Sequence, residues 1–204
     1  HLTEAEKPMD PHMAQYAARL FNKVYAQYLS DNDCYFALVP DKYRYLTDNK
    51  KEYDEFYDYF ASELTFAKHL NLYELLDKND YYKTDIHWRQ ECLLDVVKDI
   101  YGAIGKEHDG KYNEFIADTS FKGNYVNRTE MEVERENLIF LTNDTIDSLK
   151  IEEENIEVYD FGKLATDEMY DFFLSGNQPV VHIKNPTVKT KDRLIIFRDS
   201  FACC

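Results

Sequence analysis

The chain has 204 residues, 44% of them hydrophobic, enough for a sizeable core in one domain or one domain with an extra lobe. Its 24 basic and 39 acidic residues leave a formal net charge of −15, which works against binding to nucleic-acid phosphates or to an anionic membrane surface. No run of about 18 apolar residues offers a membrane span, and no signal peptide opens the chain.

Residues 10–29 predict an amphipathic helix, with Met13, Ala17, Leu20, Phe21, Val24 and Tyr28 at three- and four-residue steps. A polar break at Ser30-Asp31-Asn32-Asp33 precedes the apolar run Cys34-Tyr35-Phe36-Ala37-Leu38-Val39, a strand suited to burial on both faces of a parallel sheet. Residues 51–69 read as a second helix, 70–76 as a short element, and 88–104 as a third helix with Trp88, Cys92, Leu93, Val96, Val97, Ile100, Tyr101 and Ile104 in one stripe. Residues 106–160 turn polar, with short strands at 138–141 and 156–159, and suggest an inserted lobe. A short helix at 167–173 ends in Ser175-Gly176-Asn177, and strands follow at 179–183 and 193–197. The alternation predicts one α/β domain over 1–204 with a mostly parallel sheet and flanking helices. A strand ending at 197 calls for a helix packing back on the sheet, so a C-terminal truncation after Cys204 is expected.

The 17 tyrosines and 13 phenylalanines are read mainly as packing, with the remaining tyrosines free to line a groove for a carbohydrate. Cys34 and Cys92 read as small buried hydrophobes, and Cys203 and Cys204 fit no usual disulfide framework. Asn127-Arg128-Thr129 and Asn143-Asp144-Thr145 match the glycosylation pattern, as short patterns do by chance. Nothing calls for a cofactor. A metal site built on Asp85 and His87 lacks a second carboxylate or histidine pair nearby in sequence.

The chemistry lies in Asp85-Ile86-His87-Trp88 and, far along the chain, Asp199-Ser200-Phe201. A serine attacks a carbonyl when a base takes its proton, and histidine titrates near neutrality. A carboxylate fixes the imidazole tautomer. In an extended segment, a spacing of two points Asp85 and His87 the same way. Ser200 follows the predicted strand 193–197, at the end of the sheet where α/β folds bind ligands. Trp88 would form a wall beside the imidazole. The plainer reading makes Asp85 the N-cap of the third helix and Ser200 a turn residue.

The run Tyr81-Tyr82-Lys83-Thr84-Asp85-Ile86-His87-Trp88 resembles the hallmark of the DHHW protein family, itself similar to alginate O-acetylation proteins of SGNH-hydrolase-like (flavodoxin-like) fold. Phe36-Ala37-Leu38-Val39-Pro40-Asp41-Lys42 resembles the family's early strand and "VPxK" turn. Residues 167–176, with Tyr170, Phe173 and Leu174, resemble its "DxYxxFLxGN" segment, and residues 194–202 its "LLIIxDSFA" block. Ile86 stands where the family has its first histidine. The resemblance implies Ser200 as nucleophile, His87 as base and Asp85 as orienter, in permuted chain order. It also implies O-acetyl transfer to, or ester removal from, an extracytoplasmic polysaccharide. An alternative is a catalytically inactive glycan-binding or polysaccharide-assembly module of the same fold. The backbone N–H of Ser200 is the first oxyanion donor to expect, with Gly176 and Asn177 as a second part; a helix C-cap turn is the competing reading of that pair. The family's N-terminal membrane anchor is expected to have been lost ahead of His1, and oligomeric state is not readable.

Overall fold

The structure is a computed structural model that describes residues 10–46, 50–108, 110–127 and 132–204. The described residues divide into two compact units, those up to 78 with 95–108, and 79–94 with those from 110 on. Asp109 and most of the first glycosylation pattern lie outside the described residues.

In the first unit, Asp10 caps helix α1 (Pro11–Val24), its carboxylate accepting from the His12 N–H at 2.7 Å, and Pro11 pre-sets the first turn. A π-helical turn, Tyr25–Leu29, continues α1. The buried face differs from the expected stripe. Ala14 and Ala18 are buried against Phe60 and Leu64 of the α2 region, while Met13, Leu20, Phe21, Val24 and Tyr28 stay exposed. Small residues four apart bring the two helices close, so the alanines select the face and the larger apolar side chains do not. Strand β1 (Cys34–Ala37) follows, then α2 (Lys50–Glu63) and β2 (Ala67–Leu70). The second predicted helix thus stops short. The Asn22 amide takes the Glu63 carbonyl at its end (3.0 Å), and residues 67–70 pair with β1 in parallel, Cys34 opposite Ala67 and Ala37 opposite Leu70. Residues 72–74 form a 3₁₀ turn. The third predicted helix is shorter than its stripe: α3 spans Leu94–Ala103, most of it in this unit, and a 3₁₀ turn, Gln90–Cys92, lies before it in the second.

In the second unit, β3 (Asn113–Phe121) pairs antiparallel with β4 (Glu136–Thr142), with Phe115 opposite Phe140 and register shifts after Ile116 and Asp118. The short helices α4 (Asn124–Asn127) and α5 (Asp144–Ser148) precede and follow β4. Asn143, of the second glycosylation pattern, caps α5 by accepting from the Ile146 N–H at 2.9 Å. Strands β5 (Lys150–Ile151) and β6 (Ile183–Lys184) form a minimal antiparallel pair. The core joins Tyr82, Phe121, Leu138, Tyr170, Phe172 and Phe173. Each of these large side chains contributes roughly 1.5–3 kcal/mol by leaving water.

The architecture is mixed α/β, but the expected mostly parallel sheet is reduced. Among the described residues, one two-stranded parallel pair accompanies two antiparallel pairs. Residues 156–159 supply only an isolated bridge between Tyr159 and Phe173. Residues 193–197 form no strand, and Leu194, Ile195, Ile196 and Phe197 are 63, 74, 65 and 74% exposed. An apolar run becomes a strand only where a neighbouring strand takes its backbone hydrogen bonds, and none of the described strands pairs with it.

Candidate active site

Residues 80–89 form a closed loop. The Arg89 N–H donates to Asp80 O at 2.7 Å, the Tyr82 N–H donates to His87 O at 3.1 Å, and Tyr81 bridges Trp88. Glu136, at the start of β4, supports it by accepting from the N–H groups of Lys83 (2.8 Å) and Thr84 (2.9 Å) and from the Thr84 hydroxyl (2.8 Å). On the other side, the Gly123 N–H donates to Thr84 Oγ1 and the Tyr125 N–H to Thr84 O, both at 3.1 Å. Gly123 is required by this approach. A Cβ there would stand 2.2 Å from Asp85 Cβ and 2.4 Å from Thr84 O. The bare backbone lets the next N–H, that of Asn124, donate to Asp85 Oδ2 at 2.8 Å.

Asp85 and His87 are 1% and 5% exposed. Asp85 Oδ1 accepts from the His87 backbone N–H (3.0 Å) and from His87 Nδ1 (2.5 Å). Burial opposes charge on Asp85, but the bonds from the His87 ring and from the backbone of Asn124 and His87 outweigh it. The carboxyl is held below its ordinary range. An ionised carboxylate only accepts, so Nδ1 carries a proton, and Nε2 is the ring nitrogen turned to the serine. That Nε2 lies 2.9 Å from Ser200 Oγ. Ser200, half-buried, opens a 3₁₀ turn, Ser200–Cys203, capped by Asp199, whose carboxylate accepts from the Phe201 N–H at 3.0 Å. The structure therefore brings Asp85, His87 and Ser200 into one hydrogen-bonded line.

The ring wall differs from the expectation. The aromatic rings against the His87 imidazole are Tyr170, stacked at 3.8 Å with 6° between planes, and Phe201, tilted 55° at 4.9 Å. Trp88 instead packs edge-on to Phe201, and its Nε1 donates to Phe201 O (2.9 Å) and Cys204 Sγ (3.1 Å). Asp85 does not cap the third helix, because that helix begins at Leu94, nine residues further on.

Gly176 is buried with φ +82°, after Leu174 and Ser175 at φ 53° and 51°. Its N–H donates to Phe173 O at 2.9 Å, so it serves a chain-reversing turn. The space its missing side chain leaves holds the Asp171 carboxylate, 2.5 Å from an ideal Cβ, and burial pushes that carboxyl up. Asn177 is exposed. Cys203 Sγ donates to Gly176 O at 3.5 Å, tying this turn to the one that carries Ser200. Among the described residues, no group of three or more His, Cys, Asp or Glu side chains is gathered to hold a metal ion.

Sequence reasoning did not find Glu136, Gly123 and Asn124, which build the loop from 39–53 residues away. The local signal was a Lys-Gly-Asn turn within the polar stretch. Tyr170 was visible as a motif residue, but its stack on His87 was not.

No family model matches the chain, and no curated protein matches it either. Among solved structures, that of Bacillus cereus PatB1 is similar, with a TM-score of 0.74 and 20% sequence identity over 96% of this chain and 76% of that one. At that identity the likeness speaks for the fold. No helix among the described residues is long and apolar enough to cross a membrane.

Proposed function

We propose that this chain is an SGNH-like serine O-acyltransferase or esterase of the DHHW kind, acting on an O-acetylated extracytoplasmic polysaccharide. The observation that carries the reading is the line from Asp85 through His87 to Ser200, with bonds of 2.5 and 2.9 Å. The fold likeness to PatB1 supports it. The glycan and the extracytoplasmic setting rest on the four ordered motifs that resemble the DHHW family.

In this mechanism His87 Nε2 takes the proton of Ser200 Oγ as the oxygen attacks the acetyl carbonyl. Asp85 stabilises the imidazolium and holds its plane. The tetrahedral oxyanion is met by backbone N–H donors, of which that of Ser200 is the nearest. The Gly176 N–H is already bonded, which leaves the exposed Asn177 amide as the second donor from that pair. Collapse breaks the ester bond, and the proton on Nε2 goes to the leaving oxygen. The acetyl-serine then passes its acyl group to a sugar hydroxyl or to water, His87 taking the proton of the incoming hydroxyl and returning it to Ser200 Oγ as the acyl–serine bond breaks.

Hydrolysis of 4-nitrophenyl acetate tests this reading. Ser200→Ala and His87→Gln are expected to fall to the uncatalysed background. Hydrolysis by Ser200→Ala at the wild-type rate would remove the reading. A second reading, a glycan-binding module without chemistry, draws on an open groove lined by Phe115, Phe140, Tyr159 and Phe161 with Asp147 and Glu157 beside them. It is favoured if the wild-type chain binds an acetylated glycan and hydrolyses no ester.

A further inference from the structure

We propose that Tyr170 is a positioning residue that sets the plane of the His87 base through its stacked ring, an inference that rests on the acyl-transfer reading above. The bonds at Nδ1 and Nε2 hold the imidazole only by its edge. A face-on contact restricts rotation about Cβ–Cγ more directly than these edge bonds, and that terminal torsion is intrinsically broad in histidine. A parallel face fixes that rotation. Tyr170 supplies one at 3.8 Å and 6°. The other ring neighbour, Phe201, is tilted by 55° and cannot do so alone.

Tyr170 is itself held from several directions. It is buried, with Phe173 at 5.2 Å and the edge of Tyr82 at 6.2 Å. Its hydroxyl donates to Cys204 Sγ at 3.1 Å, the same sulfur that accepts from Trp88 Nε1. Trp88 adjoins His87 in the chain, so the contacts close a ring: His87, Trp88, Cys204, Tyr170 and back to His87. Burial pushes both the Tyr170 hydroxyl and the Cys204 thiol up, so both stay protonated near neutrality and the O–H···S bond keeps its proton.

The stack also has a directional consequence for the reaction. The face of a phenol ring is electron-rich and attracts a cation placed over it. Taking the Ser200 proton leaves a positive charge on the His87 ring. The Tyr170 face thus interacts more strongly with the transition state than with the resting site, which raises kcat and leaves KM alone.

The test compares Tyr170→Leu, Tyr170→Met and Tyr170→Phe in 4-nitrophenyl acetate hydrolysis and in the far-downfield proton resonance of the Asp85–His87 bond. Tyr170→Leu is expected to lower kcat by about tenfold with KM within about twofold, the order of a cation–aromatic contact, and to broaden or lose the resonance. Tyr170→Met, closer in length, reports the same if the leucine chain does not fold. Tyr170→Phe keeps the face and loses only the hydroxyl, so it is expected to recover most of the lost kcat and to show the resonance. Retention of both kcat and the resonance in Tyr170→Leu or Tyr170→Met overturns the proposal. So does a Tyr170→Phe chain as impaired as Tyr170→Leu, or a wild-type chain without the resonance. The resonance is read without turnover. It decides the stack even if Ser200→Ala hydrolyses at the wild-type rate and the acyl-transfer reading falls.

Discussion

Replacing Gly123 by alanine adds one methyl group at the point where two backbone segments touch. The new Cβ would lie 2.2 Å from Asp85 Cβ, 2.6 Å from Asp85 Cα and 2.4 Å from Thr84 O. Carbon atoms pack at about 3.5–4.0 Å, so the segments must part by roughly 1 Å or more. No flexible side-chain end is in the way, and the strain cannot be relieved by a rotamer change. The parting stretches three bonds together: Asn124 N–H to Asp85 Oδ2 at 2.8 Å, and Gly123 N–H to Thr84 Oγ1 and Tyr125 N–H to Thr84 O at 3.1 Å. Overpacking costs about 1–3 kcal/mol, and a lost bond to a charged carboxylate about 1.5–3 kcal/mol. A net destabilisation of about 2–4 kcal/mol is expected, or roughly 4–16 °C in Tm for a chain of this size. Asp85 carries His87 with it, and a misplacement of about 1 Å can cost about 10²-fold in rate. The assay is thermal unfolding by circular dichroism beside 4-nitrophenyl acetate hydrolysis. A Gly123→Ala chain with Tm and kcat indistinguishable from wild type would refute the claim that this backbone contact builds the site.

Further predictions concern titration and thiol chemistry. The Asp85 carboxyl is depressed in the folded chain, so its stabilising contribution is complete above its unfolded value of about 3.9 and is lost as pH falls through the lower folded value. The Tm of the wild-type chain should therefore fall more steeply below about pH 4 than that of Asp85→Asn; parallel pH profiles would contradict the assignment. Burial pushes the Cys92 thiol up to about 11 and the Cys204 thiol up to about 12. At about pH 8 iodoacetamide should leave both unmodified in the folded chain and alkylate both in the denatured chain, because only the thiolate reacts. Mass spectrometry of tryptic peptides reads the result, and equal labelling of Cys204 in the two states would show that its thiol is not enclosed.

What could be read in the sequence depended on how local the cause was. Asp85 and His87 share a loop ten residues long, so their spacing already suggested that one carboxylate serves one imidazole. Ser200 joined them through the ordered motifs, not through any spacing, because 113 residues separate it from His87. Helices α1 and α2 were legible from periodicity. The face of α1 was not, since Ala14 and Ala18 bury themselves by being small while Met13, Leu20, Phe21, Val24 and Tyr28 of the apolar stripe stay exposed. The strand predicted at 193–197 shows the limit most plainly. Its composition is that of a buried strand, but strand formation needs a partner, and partners are set by non-local pairing. The same holds for Gly123 and Glu136, whose roles exist only once β3 and β4 bring them against residues 83–85.

In the proposed mechanism His87, held by Asp85, activates Ser200. Covalent labelling by a fluorophosphonate tests it most directly, because only an activated serine displaces the fluoride. A single adduct is expected, located on Ser200 by peptide mass spectrometry, and no adduct in Ser200→Ala or His87→Gln. An unlabelled Ser200 in the folded wild-type chain, or labelling that persists in His87→Gln, would contradict it.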